Sequence, residues 1–155
     1  MQYSTLEEIQ APGPEPIGSD FVSDDGNFTF RVEGLQTYKQ RQDIITEINK
    51  YQSAIAKTND DGESTFKVPT PQESFTPSAP HVVAACYLAA CVTAPKLESL
   101  QWLQFARNRA DVLMEAYGQC LINSRIIDDP DAKDKPGTLD EAKATVQADP
   151  LDSGG

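Results

Sequence analysis

The chain has 155 residues, 39% of them apolar, which supplies one core of ordinary size and hardly two. Its formal charge of −11, from 24 acids against 13 lysines and arginines, repels polyanions and argues against nucleic acid or an anionic membrane as a partner. The longest apolar stretch, Val82 to Val92, falls short of the roughly 20 residues a bilayer span takes, so no membrane helix is expected.

Residues 1–20 hold Glu7, Glu8, Glu15 and Asp20 with no lysine or arginine, and lack the basic start and apolar run of a secretory signal. Thr5 and Glu8 are spaced as a capping box for a short helix, which Pro12, Pro14 and Pro16 bring to an end. With little beyond Tyr3, Leu6 and Ile9 to bury, this segment does not offset its ordering entropy and is expected to be a flexible arm.

From 21 to 125 the sequence is nearly balanced, with 12 acids and 10 bases. Phe21-Val22-Ser23 and Phe28-Thr29-Phe30-Arg31-Val32 flank Asp24-Asp25-Gly26-Asn27, where Asp-Gly suits the positive backbone angles of a tight turn. A two-stranded hairpin follows from this, with Phe28, Phe30 and Val32 on one face and that face laid on helices, because a hairpin alone is marginal. Thr37 and Gln40 then form a capping box opening a helix to about Lys57, with Tyr38, Ile44, Ile45, Ile48, Tyr51 and Ile55 on one side. Thr65 to Val68 reads as a short strand, and Pro69, Pro71, Pro77 and Pro80 mark an irregular loop.

Pro80 suits the first turn of a helix running from His81 to Ala94, whose small residues on every side predict a buried centre. Leu103, Ala106, Ala110, Leu113, Tyr117 and Cys120 step by three and four along a last helical stretch from Leu97 to Ser124, unbroken or interrupted near Arg107. Residues 126–155, with eight acids against three lysines, form an acidic tail. The expected fold is therefore mainly α: a small helical domain over 21–125 with an N-terminal β-hairpin packed on it, between flexible acidic ends at 1–20 and 126–155.

Candidate chemistry is sparse. His81, the one histidine, lies five residues before Cys86, an offset of about 140° around a helix axis that turns the two side chains apart. A zinc site would need His81, Cys86, Cys91 and Cys120 together, without the paired Cys-x-x-Cys spacing that sets tetrahedral geometry. Three cysteines in apolar surroundings fit buried free thiols in a reducing cytosol. The stretch Asp129 to Asp134 has Lys133 at a ligand position and no following turn glycine, so it reads as a solvated linker rather than a calcium loop. No Gly-rich phosphate loop, serine-nucleophile motif or paired carboxylates in an apolar setting are found, which argues against an enzyme and against a cofactor. Binding to another protein is the remaining class, with exposed members of the set Phe21, Phe28, Phe30, Tyr38 and Trp102 as its candidate contacts, although Trp102 beside Leu103 also suits a core.

The order of these elements resembles the tail assembly chaperones of tailed bacteriophages, particularly the small chaperones of contractile-tailed phages. The resemblance runs from Phe28-Thr29-Phe30-Arg31-Val32 and the helix opening Leu35-Gln36-Thr37, through Cys91-Val92-Thr93-Ala94-Pro95-Lys96-Leu97, to Leu121-Ile122-Asn123-Ser124. The proline-rich stretch 69–80 and the long acidic tail depart from that pattern. The resemblance implies a non-enzymatic holdase in the host cytoplasm, without cofactors, that binds the tape-measure protein before the tail tube closes around it. The alternative is a structural subunit of the virion, a head–tail adaptor or baseplate component whose ends lie along neighbouring subunits or copies of itself.

Overall fold

The computed structural model describes residues 2–127, so the acidic tail lies outside the described residues apart from its first two positions. The described residues form four helices and a three-stranded antiparallel sheet, a mixed α/β arrangement rather than a purely helical one.

Helix α1 (Leu6–Gln10) opens on the expected box: the Glu8 amide donates to Thr5 Oγ1 at 3.2 Å and the Thr5 amide to Glu8 Oε1 at 2.7 Å. None of its residues is buried. The hairpin pairs β1 (Gly18–Val22) with β2 (Thr29–Glu33), Phe21 opposite Phe30. Strand β1 thus begins inside the segment expected to be a free arm. The reason is long-range: the Ile17 amide donates to the Asn123 carbonyl at 2.9 Å and Arg125 Nε to the Glu15 carbonyl at 2.9 Å, so partners distant in sequence order residues 15–20. In the hairpin turn Gly26 takes φ +77°, and Asp25 Oδ1 accepts from Ser23 Oγ at 2.7 Å and from the Asn27 amide at 2.9 Å.

Thr37 caps α2 (Tyr38–Ala56) with Gln40 closing the box, as the spacing predicts. Ile44 is buried and Ile48, Tyr51 and Ile55 pack on the core, whereas Tyr38 and Ile45 turn to solvent. No regular strand forms at 65–68; Val68 and Phe75 make an isolated bridge that folds the proline-rich loop back on itself.

Helix α3 (Ala79–Cys91) carries Pro80 in its first turn and packs between α2 and α4. It stops earlier than the small-residue run suggests, because Val92–Ala94 becomes β3, pairing antiparallel with β2. Val92 is β-branched and buried, and the free edge of β2 offers its backbone a partner there. The Ala94–Pro95 peptide is cis.

Helix α4 (Ser99–Asn123) is one span with a break at Arg109, whose φ −136° and ψ 57° are not helical. The freed side chain is tied down: Arg109 Nη2 donates to Asp25 Oδ2 at 2.8 Å and to Asp111 Oδ2 at 3.1 Å, and the guanidinium lies 5.2 Å from the Phe28 ring centre. The far end of α4 gathers the fold. The buried Asn123 amide donates to Ser19 Oγ and the Val32 carbonyl, Ser124 Oγ accepts from the Leu35 amide, and the Ser124 carbonyl accepts from Arg41. Gly34 is required beside this junction because a Cβ there would run into the Asn123 carbonyl.

Candidate partner-binding surfaces

Of the five aromatic residues expected to meet a partner, the structure puts four inside. Phe21 and Phe30 stack at 5.8 Å between ring centres, Phe30 meets Trp102 edge-on at 5.1 Å, and Phe28 meets Phe105 edge-on at 5.1 Å. Trp102 is 1% exposed and Phe21 9%, while Phe28 is half-covered by Arg109. The hairpin and the first half of α4 bring these rings together as core, with Phe28 at its partly exposed rim. A sheet face of alternating aromatics buries best against another apolar face, and α4 supplies one. Tyr38 alone of the five is open, at 76%.

The apolar groups left in water are elsewhere. On α1, Leu6 is 68% and Ile9 70% exposed, three residues apart and hence on one side of the helix, with Tyr3 preceding them. Sequence reasoning identified this helix and gave residues 1–20 as a whole a contact role in the structural-subunit reading, without singling out Leu6 and Ile9. The signal was present: an amphipathic turn followed by Pro12, Pro14 and Pro16 is held away from the domain whose core it would have to join.

A second feature is a cleft of about 380 Å³ between α2 and the end of α3, with Ile44, Cys86, Ala89 and Ala90 among its lining residues. It adjoins a hollow of about 410 Å³ beside Lys50, Tyr51, Leu97 and Glu98. Asp43 and Glu47 line the cleft opposite Lys96, whose ammonium donates to the Ala89 carbonyl at 2.6 Å and so closes the last turn of α3. Mixed charge over small apolar side chains suits packing of a partner's side chain more than chemistry.

Cys86, which lines the cleft, matches that reading. Cys86, Cys91 and Cys120 are free and buried. Burial pushes the Cys86 thiol up to about 11 against a weaker opposing hydrogen bond from Ser99, which keeps it protonated and a poor nucleophile at neutral pH. Among the described residues no group of histidine, cysteine, aspartate or glutamate side chains is arranged to hold a metal ion, and no helix is long and apolar enough to cross a membrane. Compared with models of protein families, with curated proteins and with solved structures, the chain gives no significant match.

Proposed function

We propose that this protein acts without catalysis, by binding other proteins, and that it serves phage tail assembly as a chaperone of the tape-measure protein. The binding part of the reading is carried by one observation: the apolar side of α1, with Leu6 and Ile9 in water, is joined by a proline-rich connection to a domain whose core is already closed. An exposed apolar stripe of this kind lowers its free energy by covering a complementary apolar helix. The net charge of −11 keeps such a complex dispersed. The assignment to tail assembly is supported by the order of motifs from Phe28 to Ser124.

Coexpression with the tape-measure protein of the same phage tests it. A soluble complex in lysate, weakened by replacing Leu6 and Ile9 with serine, and absence of the protein from finished particles by mass spectrometry are expected. The exposed apolar side of α1 suits a neighbouring virion subunit equally well; a fixed copy number in particles would establish that structural-subunit reading and remove the chaperone.

A further inference from the structure

The sheet ends on two edges of opposite character. The β3 edge is three residues long, meets β2 through an irregular register between Arg31 and Val32, and runs directly into Pro95. Shortness, irregularity and proline all make a strand edge a poor template for another chain. The β1 edge, five residues long and in regular register, has none of these.

Its backbone direction follows from two hydrogen bonds. In an antiparallel pair, residues alternate between those that bond to the facing strand and those that turn both polar groups away. Ser23 N donates to the Phe28 carbonyl and Gly34 N to the Ile17 carbonyl, each at 2.9 Å, so positions 17, 19, 21 and 23 face β2. Gly18, Asp20 and Val22 therefore aim their amides and carbonyls outward. All three residues are exposed, and among the described residues no hydrogen bond reaches these backbone groups.

We infer that the outer edge of β1 takes an extended, basic segment of another protein as a fourth strand. The occupant is extended because what waits there is a row of backbone donors and acceptors at strand spacing, which only another strand matches. It is basic because residues 1–30 carry Glu7, Glu8, Glu15, Asp20, Asp24 and Asp25 and no lysine, arginine or histidine. Arg31, the first base, is drawn toward Glu33 at 2.7 Å and reaches Asp20 only at 3.5 Å, leaving the Asp20 side chain 69% exposed on the edge strand. A lysine or arginine across from Asp20 completes that pairing, and Val22, 56% exposed on the same face, favours a β-branched neighbour. A second copy of this chain fits less well, since it would set this all-acidic segment against its own duplicate. The inference deepens the protein-binding reading but uses a surface separate from α1, so the two fail separately.

The test uses the full chain and a synthetic peptide alternating lysine with valine, together with its fully N-methylated form and its glutamate counterpart. The lysine peptide should bind and slow hydrogen exchange at the Gly18, Asp20 and Val22 amides. N-methylation, which keeps charge and side chains but removes the strand donors, should weaken binding about tenfold or more, the equivalent of losing two or three such bonds. Asp20→Lys should reverse the preference toward the glutamate peptide, with the emission of Trp102 reporting that the fold is kept. Replacing Leu6 and Ile9 with serine should leave peptide binding unchanged. Failure of the lysine peptide to bind, equal binding of the N-methylated form, or protection at sites other than β1 would overturn the proposal. So would dimerisation of the protein alone that protects the same three amides.

Discussion

Asp25 carries more than its place in a surface turn suggests. Its carboxylate takes the Ser23 hydroxyl and the Asn27 amide on one oxygen and Arg109 on the other, at 2.7, 2.9 and 2.8 Å, and so fastens the hairpin to the break in α4. These donors, the Ser23 hydroxyl first, hold the carboxyl well below its ordinary 3.8. A carboxylate depressed in the folded state contributes stability that is complete above the unfolded value and fades as pH falls through it toward the folded one. Asp25→Asn is therefore expected to melt below the wild type at neutral pH, and the two melting temperatures should converge as the solution is acidified below 3.8. A gap independent of pH would mean that the charge of Asp25 contributes nothing. Arg109 could be read from sequence as lying near a break, but its joining of that break to Asp25, 84 residues away, could not.

Among the elements, those set by neighbouring residues were legible and those set by distant ones were not. Both capping boxes, the Asp-Gly turn and the proline in the first turn of α3 follow from interactions within four residues or fewer. Strand β3 was hidden because Val92 continues the apolar run of α3, and its strand character comes from pairing with Val32, 60 positions earlier. The hairpin aromatics were legible as one face laid on helices, as observed, but which helix receives them, α4 through Trp102 and Phe105, depends on contacts distant in sequence. The small residues of α3 divide in the same way: Ala84 and Ala85 are fully buried, whereas Ala90 lines the cleft beside α2. Ala85→Leu should cost about 1–3 kcal/mol by overpacking. Ala90→Leu has the cleft to enter and should cost clearly less. Urea unfolding followed by Trp102 emission measures both; equal losses would show that the cleft is not open to a larger side chain.

For the whole molecule, the boundary between arm and domain lies near residue 15 rather than residue 20. A chain lacking residues 1–14 retains Ile17, all of β1 and the Asn123 junction, and should unfold cooperatively close to the full-length midpoint. Removal through Asp20 takes away the first three residues of β1 and the Ser19 partner of Asn123, leaving part of a buried amide without its hydrogen bond; the midpoint should fall by several degrees. Equal midpoints for the two truncations would restore the sequence-based boundary. The candidate surfaces were partly legible: the helix opened by Thr5 and Glu8 and the prolines after it follow from local spacing, but burial moved Phe21, Phe30 and Trp102 into the core and only strand register gave the β1 edge a direction.

The bond from Arg125 to the Glu15 carbonyl has a further consequence, because it makes the two ends of the domain leave from one pole. On one side the chain leads back through Glu8 and Glu7; on the other it continues past Ile127 into a segment with eight acids and three lysines. Glu15 and Asp20 place negative charge at the start of β1, within residues 1–30 that hold no base, and make the field around the described residues asymmetric. Such an asymmetric field orients a basic partner during diffusion, before any contact forms. Added salt screens that approach over a Debye length, whereas backbone hydrogen bonds along a strand are little affected. The ionic-strength dependence of complex formation should therefore sit in the rate of arrival rather than in the residence time.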